Sequence, residues 1–251
     1  MRGFDHEGFH FSTFSHGEGD PVLLIHGFAS SKEVNWVQPG WAKTLTDAGY
    51  RVLAFDNRGH GGTTRSRVPD DYMPEKMASD ALAFLDSEDI ARAHVMGYSM
   101  GARIAAFLAL AAPDRVASLV LGGLGSGMTD GVGDWDPIAE ALLADDPATI
   151  THARGAMFRA FADKTKSDRF ALAACISASR TLLSPDQIRQ ICMPCLVAVG
   201  SKDDIAGDPH ALAKLLPRGE ALDIPGRDHM LAVGDKVFKA AVLAFLEEHP
   251  L

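Results

Sequence analysis

Short apolar runs bounded by turn residues recur along the first half of this chain, with helical stretches between them. They lie at 22–25 (VLLI), 51–56 (RVLAFD), 94–98 (HVMGY) and 118–123 (SLVLGG). Nearly continuous apolar runs of this length are the pattern of parallel strands covered on both faces. The intervening stretches 36–48 and 74–85 carry apolar residues at helical spacing, the second with Pro74 at an early helical position. Strand alternating with helix predicts an α/β fold: a mostly parallel central sheet flanked by helices and joined by right-handed crossovers.

After Gly125 the character changes. The stretch GSGMTDGVGDW is loop-like, and the residues that follow show helical patterns without a strand. Strand signals return at 195–200 (CLVAVG) and 220–226 (EALDIPG), and the chain closes with an amphipathic helix over 235–248. The expected organisation is one core domain built from 1–124 and 186–251, with a small helical cap inserted at 125–185. A length of 251 residues suits a single α/β unit carrying an insertion.

Charge narrows the partners. The chain carries 33 Asp and Glu against 24 Lys and Arg, a net charge of −9, and no run of basic residues. Such a surface repels phosphate backbones and anionic bilayers, so neither nucleic acid nor membrane is expected as a partner. The opening MRGFDHEGFHF interrupts with acids and histidines where a signal peptide needs an apolar stretch, and no segment approaches 18 apolar residues, so the expected location is cytoplasmic. Cys175, Cys192 and Cys195 are odd in number, and the CxxC formed by the last two stands without a second pair. A disulfide framework or metal cluster is therefore not expected.

The chemistry concentrates at Gly97-Tyr98-Ser99-Met100-Gly101, which follows the apolar run HVMGY and precedes the helical pattern ARIAAFLALAAP. Strand, sharp turn and helix are the context in which a serine hydroxyl is thrust out at a sheet edge, with glycines removing side chains that would collide with neighbouring backbone. The helix that starts after Ser99 aims its free amides at developing negative charge. A serine hydroxyl is a poor nucleophile at neutral pH. It needs an imidazole to take its proton and a carboxylate to orient and stabilise that imidazole. Asp203 and Asp204 follow the apolar run CLVAVG, and His229 lies in the loop after the next strand signal. Taken singly, Asp203 also reads as a helix N-cap ahead of DPHALAKLL and His229 as a loop histidine among the ten histidines of the chain. Jointly, the order serine, acid, histidine points to Ser99, Asp203 and His229 as a catalytic triad.

These residues resemble the α/β-hydrolase fold superfamily over nearly the whole chain outside 125–185. His26-Gly27-Phe28 after VLLI looks like the family's HG motif. That resemblance implies that the backbone N–H of Phe28 and that of Met100 form an oxyanion hole. It also favours Asp203 over Asp204, because Asp203 stands three residues beyond Gly200. Asp56-Asn57-Arg58-Gly59-His60-Gly61 looks like the family's DxRGxG segment, implying that Asp56 and Arg58 hold the loop facing the oxyanion turn. Thr63 and Ala102 depart from the family pattern only by small replacements. A serine at the elbow disfavours the aspartate-dependent dehalogenase and epoxide hydrolase branches.

The expected activity is a serine hydrolase cleaving small to medium carboxylic esters, including lactones and thioesters, with a small-molecule acyl substrate and neither metal nor organic cofactor. The same machinery serves C–C bond hydrolysis, acyl transfer or perhydrolysis, and a non-enzymatic ligand receptor is a further class on this fold. Met128, Trp135, Met157, Phe158 and Phe161 of the insertion, with Phe28 and Met230, are candidate walls of an acyl pocket or simply the cap's own packing. Oligomeric state is left open.

Overall fold

The computed structural model describes residues 3–251. Eight strands form one sheet: β1 (Gly3–His6), β2 (Phe9–His16), β3 (Pro21–Ile25), β4 (Arg51–Phe55), β5 (Ala93–Tyr98), β6 (Val116–Gly122), β7 (Cys195–Gly200) and β8 (Gly219–Ile224). Their spatial order is β1-β2-β4-β3-β5-β6-β7-β8. β1 and β2 form an antiparallel hairpin, β2 runs antiparallel to β4, and every pair from β4 to β8 is parallel. The sequence reading did not anticipate the hairpin. Its turn is Glu7-Gly8 with positive φ at both residues, 45° and 81°, the backbone that a two-residue hairpin requires.

Alternation along each strand divides the apolar residues between two helical layers. Val22, Leu24, Val52, Ala54 and Met96 pack against Trp41 and Leu45 of α1 (Trp41–Asp47) and Phe238 and Val242 of α11 (Lys236–Glu248). Leu23, Ile25, Leu53, Phe55 and Val95 face α2 (Pro74–Ser87), α3 (Met100–Ala111) and α9 (Pro209–Leu215) through Phe84, Ile104 and Leu212. The helix expected over 36–48 is broken. A wide helical turn, Glu33–Val37, precedes α1, and Pro39 with Gly40 at φ 84° separates the two.

The chain leaves β3 to one side for β4 and returns across the sheet for β5, so the loops after β3 and β5 diverge and leave a crevice at the carboxyl edge. A crevice at such a reversal of strand order is where open α/β sheets bind ligands.

Five helices fill the connection between β6 and β7: α4 (Gly127–Asp130), α5 (Asp136–Leu143), α6 (Ala153–Thr165), α7 (Arg169–Ala178) and α8 (Pro185–Ile188). Part of the stretch read as a loop, GSGMTDGVGDW, is thus the single turn α4. Ile138, Leu142, Phe158, Leu172 and Cys175 from these helices join the same hydrophobic cluster as Ile25, Phe28 and Ile104, so the insertion shares the core of the sheet. Arg103 of α3, buried, reinforces the join by donating to the carbonyls of Gly127, Met128 and Thr181. No helix among the described residues is long and apolar enough to cross a membrane.

Candidate active site

At the end of β5 the chain turns sharply into α3, and Ser99 takes up φ 55° and ψ −115°, a conformation rarely held by a residue with a side chain. The surroundings enforce it. Ser99 N–H donates to the Gly122 carbonyl at 2.7 Å, while its own carbonyl accepts from the N–H groups of Ala102 and Arg103. A Cβ at position 97 would stand 2.1 Å from the Gly101 carbonyl oxygen, and one at 101 would stand 2.0 Å from that of Ile25. Steric contact alone therefore demands both flanking glycines.

His229 opens the short helix α10 (His229–Ala232), whose first N–H groups are capped by the Asp228 carboxylate. Its Nε2 lies 3.0 Å from Ser99 Oγ and its Nδ1 2.7 Å from Asp203 Oδ2. The imidazole is buried and the Asp203 side chain is fully shielded. With the Nδ1 proton donated to Asp203, Nε2 is free to accept from the serine hydroxyl. The other oxygen of Asp203 accepts from the N–H groups of Ile205 and Ala206 at 2.9 and 3.0 Å, which fixes the carboxylate. Asp204 is exposed, and the N-cap of α9 is Asp208, not Asp203.

Phe28 and Met100 sit on the two turns that border the crevice, and neither backbone N–H finds an acceptor among the described residues. The turn after β3 is braced by groups the sequence reading did not assign. Asn35 Oδ1 accepts from Gly27 N–H at 2.8 Å, and Asn57 Nδ2 donates to the His26 carbonyl at 3.0 Å. His26 Nε2 accepts from Asn57 N–H, and His60 Nε2 accepts from Ala29 N–H. Both roles need a neutral ring. Burial supplies one, holding His26 below the usual imidazole range and pushing His60 down to about 3. On the other side of the crevice, Tyr98 Oη donates to the His229 carbonyl at 2.7 Å.

Asp56 and Arg58 act in different directions. Asp56 accepts from the backbone N–H of Lys32, from Lys32 Nζ and from Gly62 N–H, tying its loop to the end of the turn that carries Phe28. Arg58 instead faces away from that turn and grips Asp80 of α2 with two bonds at 2.6 and 2.7 Å and Glu7 of the hairpin with a third.

A cavity of about 290 Å³ opens over Ser99 and His229, walled by Phe28, Trp135, Phe158, Phe161 and Met230. The other two residues considered as walls are placed elsewhere. Met128 is wholly buried in the shared core, and Met157 turns to solvent on the outer face of α6.

Residues 20–161 match the family described as alpha/beta hydrolase fold. The chain belongs to this family. Within the α/β-hydrolase family, it is 32% identical over 239 residues to a Mycobacterium tuberculosis protein named non-heme bromoperoxidase BpoC, covering 85% of this chain and 88% of that one. It is 35% identical over 142 residues to the rhodomycin D methylesterase DnrP of Streptomyces peucetius, covering 55% of this chain and 46% of that one. Among solved α/β-hydrolase structures, a hydrolase from Pseudomonas aeruginosa superposes with a TM-score of 0.80 at 25% identity, covering 98% of this chain and 97% of the other.

Proposed function

We propose that this protein is a serine hydrolase that cleaves small to medium carboxylic esters through an acyl-enzyme on Ser99. The observation that carries the reading is the unbroken hydrogen-bonded relay from Ser99 Oγ through His229 to the immobilised carboxylate of Asp203. Ser99 Oγ attacks the ester carbonyl as its proton passes to His229 Nε2, and Asp203 stabilises the imidazolium. The oxyanion is received by the N–H groups of Phe28 and Met100, which are otherwise unoccupied donors. Collapse of the intermediate expels the alcohol, protonated by His229. Water then attacks the acyl-enzyme with His229 as base, restoring Ser99 and releasing the acid. Every step uses groups of this chain, the substrate and water. The family's hydrolase members, a named methylesterase among them, support the ester assignment.

The test is hydrolysis of p-nitrophenyl esters from acetate to decanoate by the native protein and by Ser99→Ala. The expected result is turnover favouring short to medium chains, as a 290 Å³ cavity implies, with a loss of at least ~10³-fold in the variant. Equal turnover by the two proteins overturns the assignment.

A further inference from the structure

Ser99 borders a second, smaller cavity of about 40 Å³ that it shares with Phe28 and Met100. His229 lines the larger cavity and not this one, so the two divide the space around Ser99 into a side that can receive a proton for the leaving group and a side that cannot. Most of the smaller side is lined by apolar residues, and its polar side chains besides Ser99 are Ser179, Trp135, Arg103 and Arg180. Ser179 is 2% exposed and Trp135 6%, and neither Ser179 Oγ nor Trp135 Nε1 has a hydrogen-bond partner. Arg180, in the turn two residues beyond the end of α7, lies over the Trp135 ring with its guanidinium carbon 5.6 Å from the ring centroid.

The charge of Arg180 is poorly matched. Its Nε donates to the Ile176 carbonyl, and the closest carboxylate oxygen belongs to Asp136, 3.8 Å from Nη2 on a side chain that is 83% exposed. Arg103 also lines the cavity. It is bonded only to carbonyls and has no carboxylate within ion-pair distance among the described residues. Burial and the proximity of Arg180 push Arg103 down to about 10, as expected for two cations that lack a shared anion. No Asp or Glu lines the small cavity; the wider pocket beyond it, which shares Arg103, Trp135 and Arg180, is bordered by Asp70. Two unmated buried donors, one guanidinium with no carboxylate partner and a second whose carboxylate partner is 3.8 Å away on an exposed side chain form a surface that favours an acceptor-only, negatively charged group. A volume of about 40 Å³ suits a small end group such as a carboxylate.

We propose that this cavity is a carboxylate subsite on the acyl side of Ser99, with Arg180 as its specificity-determining residue, so that the preferred substrates are monoesters of short dicarboxylic acids. The proposal rests on the ester-hydrolase reading for its substrate but not for its binding site. A planar guanidinium suits a carboxylate, which it can meet with two parallel bonds. The uncharged end of the substrate then occupies the larger cavity, where His229 protonates the departing alcohol.

The experiment compares initial rates on the monomethyl and dimethyl esters of succinic, glutaric and adipic acids for the native protein, Arg180→Gln and Arg180→Lys. In parallel, free glutarate is titrated for its ability to protect Ser99 from a fluorophosphonate. The native protein is expected to favour a monoester over its diester at least tenfold in kcat/KM at one chain length. Arg180→Gln is expected to reduce that ratio at least tenfold and weaken protection similarly, with Arg180→Lys in between. A variant that is merely destabilised lowers both rates and leaves the ratio alone, which overturns the proposal. Ester turnover with neither preference nor protection also overturns the subsite and leaves the hydrolase reading intact. Protection that depends on Arg180, with no ester cleaved, supports the subsite and overturns the hydrolase reading instead.

Discussion

The hydroxyl of Tyr98 donates to the backbone carbonyl of His229 at 2.7 Å, joining the residue before the proposed nucleophile Ser99 to the proposed general base. The bond locks together two turns separated by more than half the chain. Tyr98→Phe keeps the ring and leaves that carbonyl without its donor. We expect a loss of about 1–2 kcal/mol in urea unfolding and a several-fold fall in kcat with KM nearly constant, because the imidazole loses part of its fixed position. An unchanged kcat shows that the turn holds its shape without the bond.

Asp203 and Asp204 differ in surroundings far more than in sequence. Asp203→Asn is expected to cost at least ~10³-fold in kcat on p-nitrophenyl esters, since the amide favours the wrong histidine tautomer. Asp204→Asn, at an exposed position, is expected to stay within twofold of the native rate. The reverse ranking assigns the acid to Asp204.

The turn that carries Phe28 depends on Asn35, whose Oδ1 is the acceptor for Gly27 N–H. Asn35→Ala strands that buried donor, with an expected cost of ~1–3 kcal/mol in stability. Misplacing the Phe28 N–H lowers kcat more than it raises KM, and steady-state kinetics on a short ester separates the two.

Acid should weaken the fold through its buried neutral histidines. The native ring of His60 titrates at about 3, and that of His94, also lowered chiefly by burial, at about 4, against 6.5 for the unperturbed group. Below 6.5 the unfolded chain binds protons that the native state refuses, so stability is full above that pH and falls as pH drops towards these values. Between pH 7 and pH 5, His60 alone contributes a loss of about 2 kcal/mol. Urea unfolding of the native protein and of His60→Gln at both pH values is expected to show a smaller acid loss in the variant. Equal losses place the protonation elsewhere.

The sequence made the sheet from β3 to β7 legible because each strand is largely buried on both faces and reads as a nearly uninterrupted apolar run, whereas β8, an edge strand carrying Glu220 and Asp223, showed only a shorter apolar signal before a Pro-Gly turn. β1 and β2 escaped the reading. The alternation of Phe9 and Phe11 with polar neighbours was visible, but its significance depended on the antiparallel partner β1. Ser99, Asp203 and His229 could be nominated because each follows a strand or its turn at the sheet's carboxyl edge. The braces His26, Asn35, Asn57 and His60 could not, since their roles arise from contacts between loops that no local spacing encodes. Met128 and Met157 show the same limit from the other direction. Helical spacing identifies an apolar residue of the insertion but not whether it faces the cavity, the core or solvent.

The hydrophobic cluster common to the sheet and the five inserted helices has a kinetic consequence. Lifting those helices away as a hinged flap would tear open the interior around Phe28 and Phe158, so substrate must reach Ser99 by a route that leaves the cluster closed. Met230 and Leu231, both exposed and both lining the larger cavity, stand on that route. Their rotation is a matter of nanoseconds rather than of the microseconds to milliseconds of lid motion. Entry past these two exposed side chains needs only rotamer changes and no lid movement, so access is not expected to set the pace of the proposed hydrolysis.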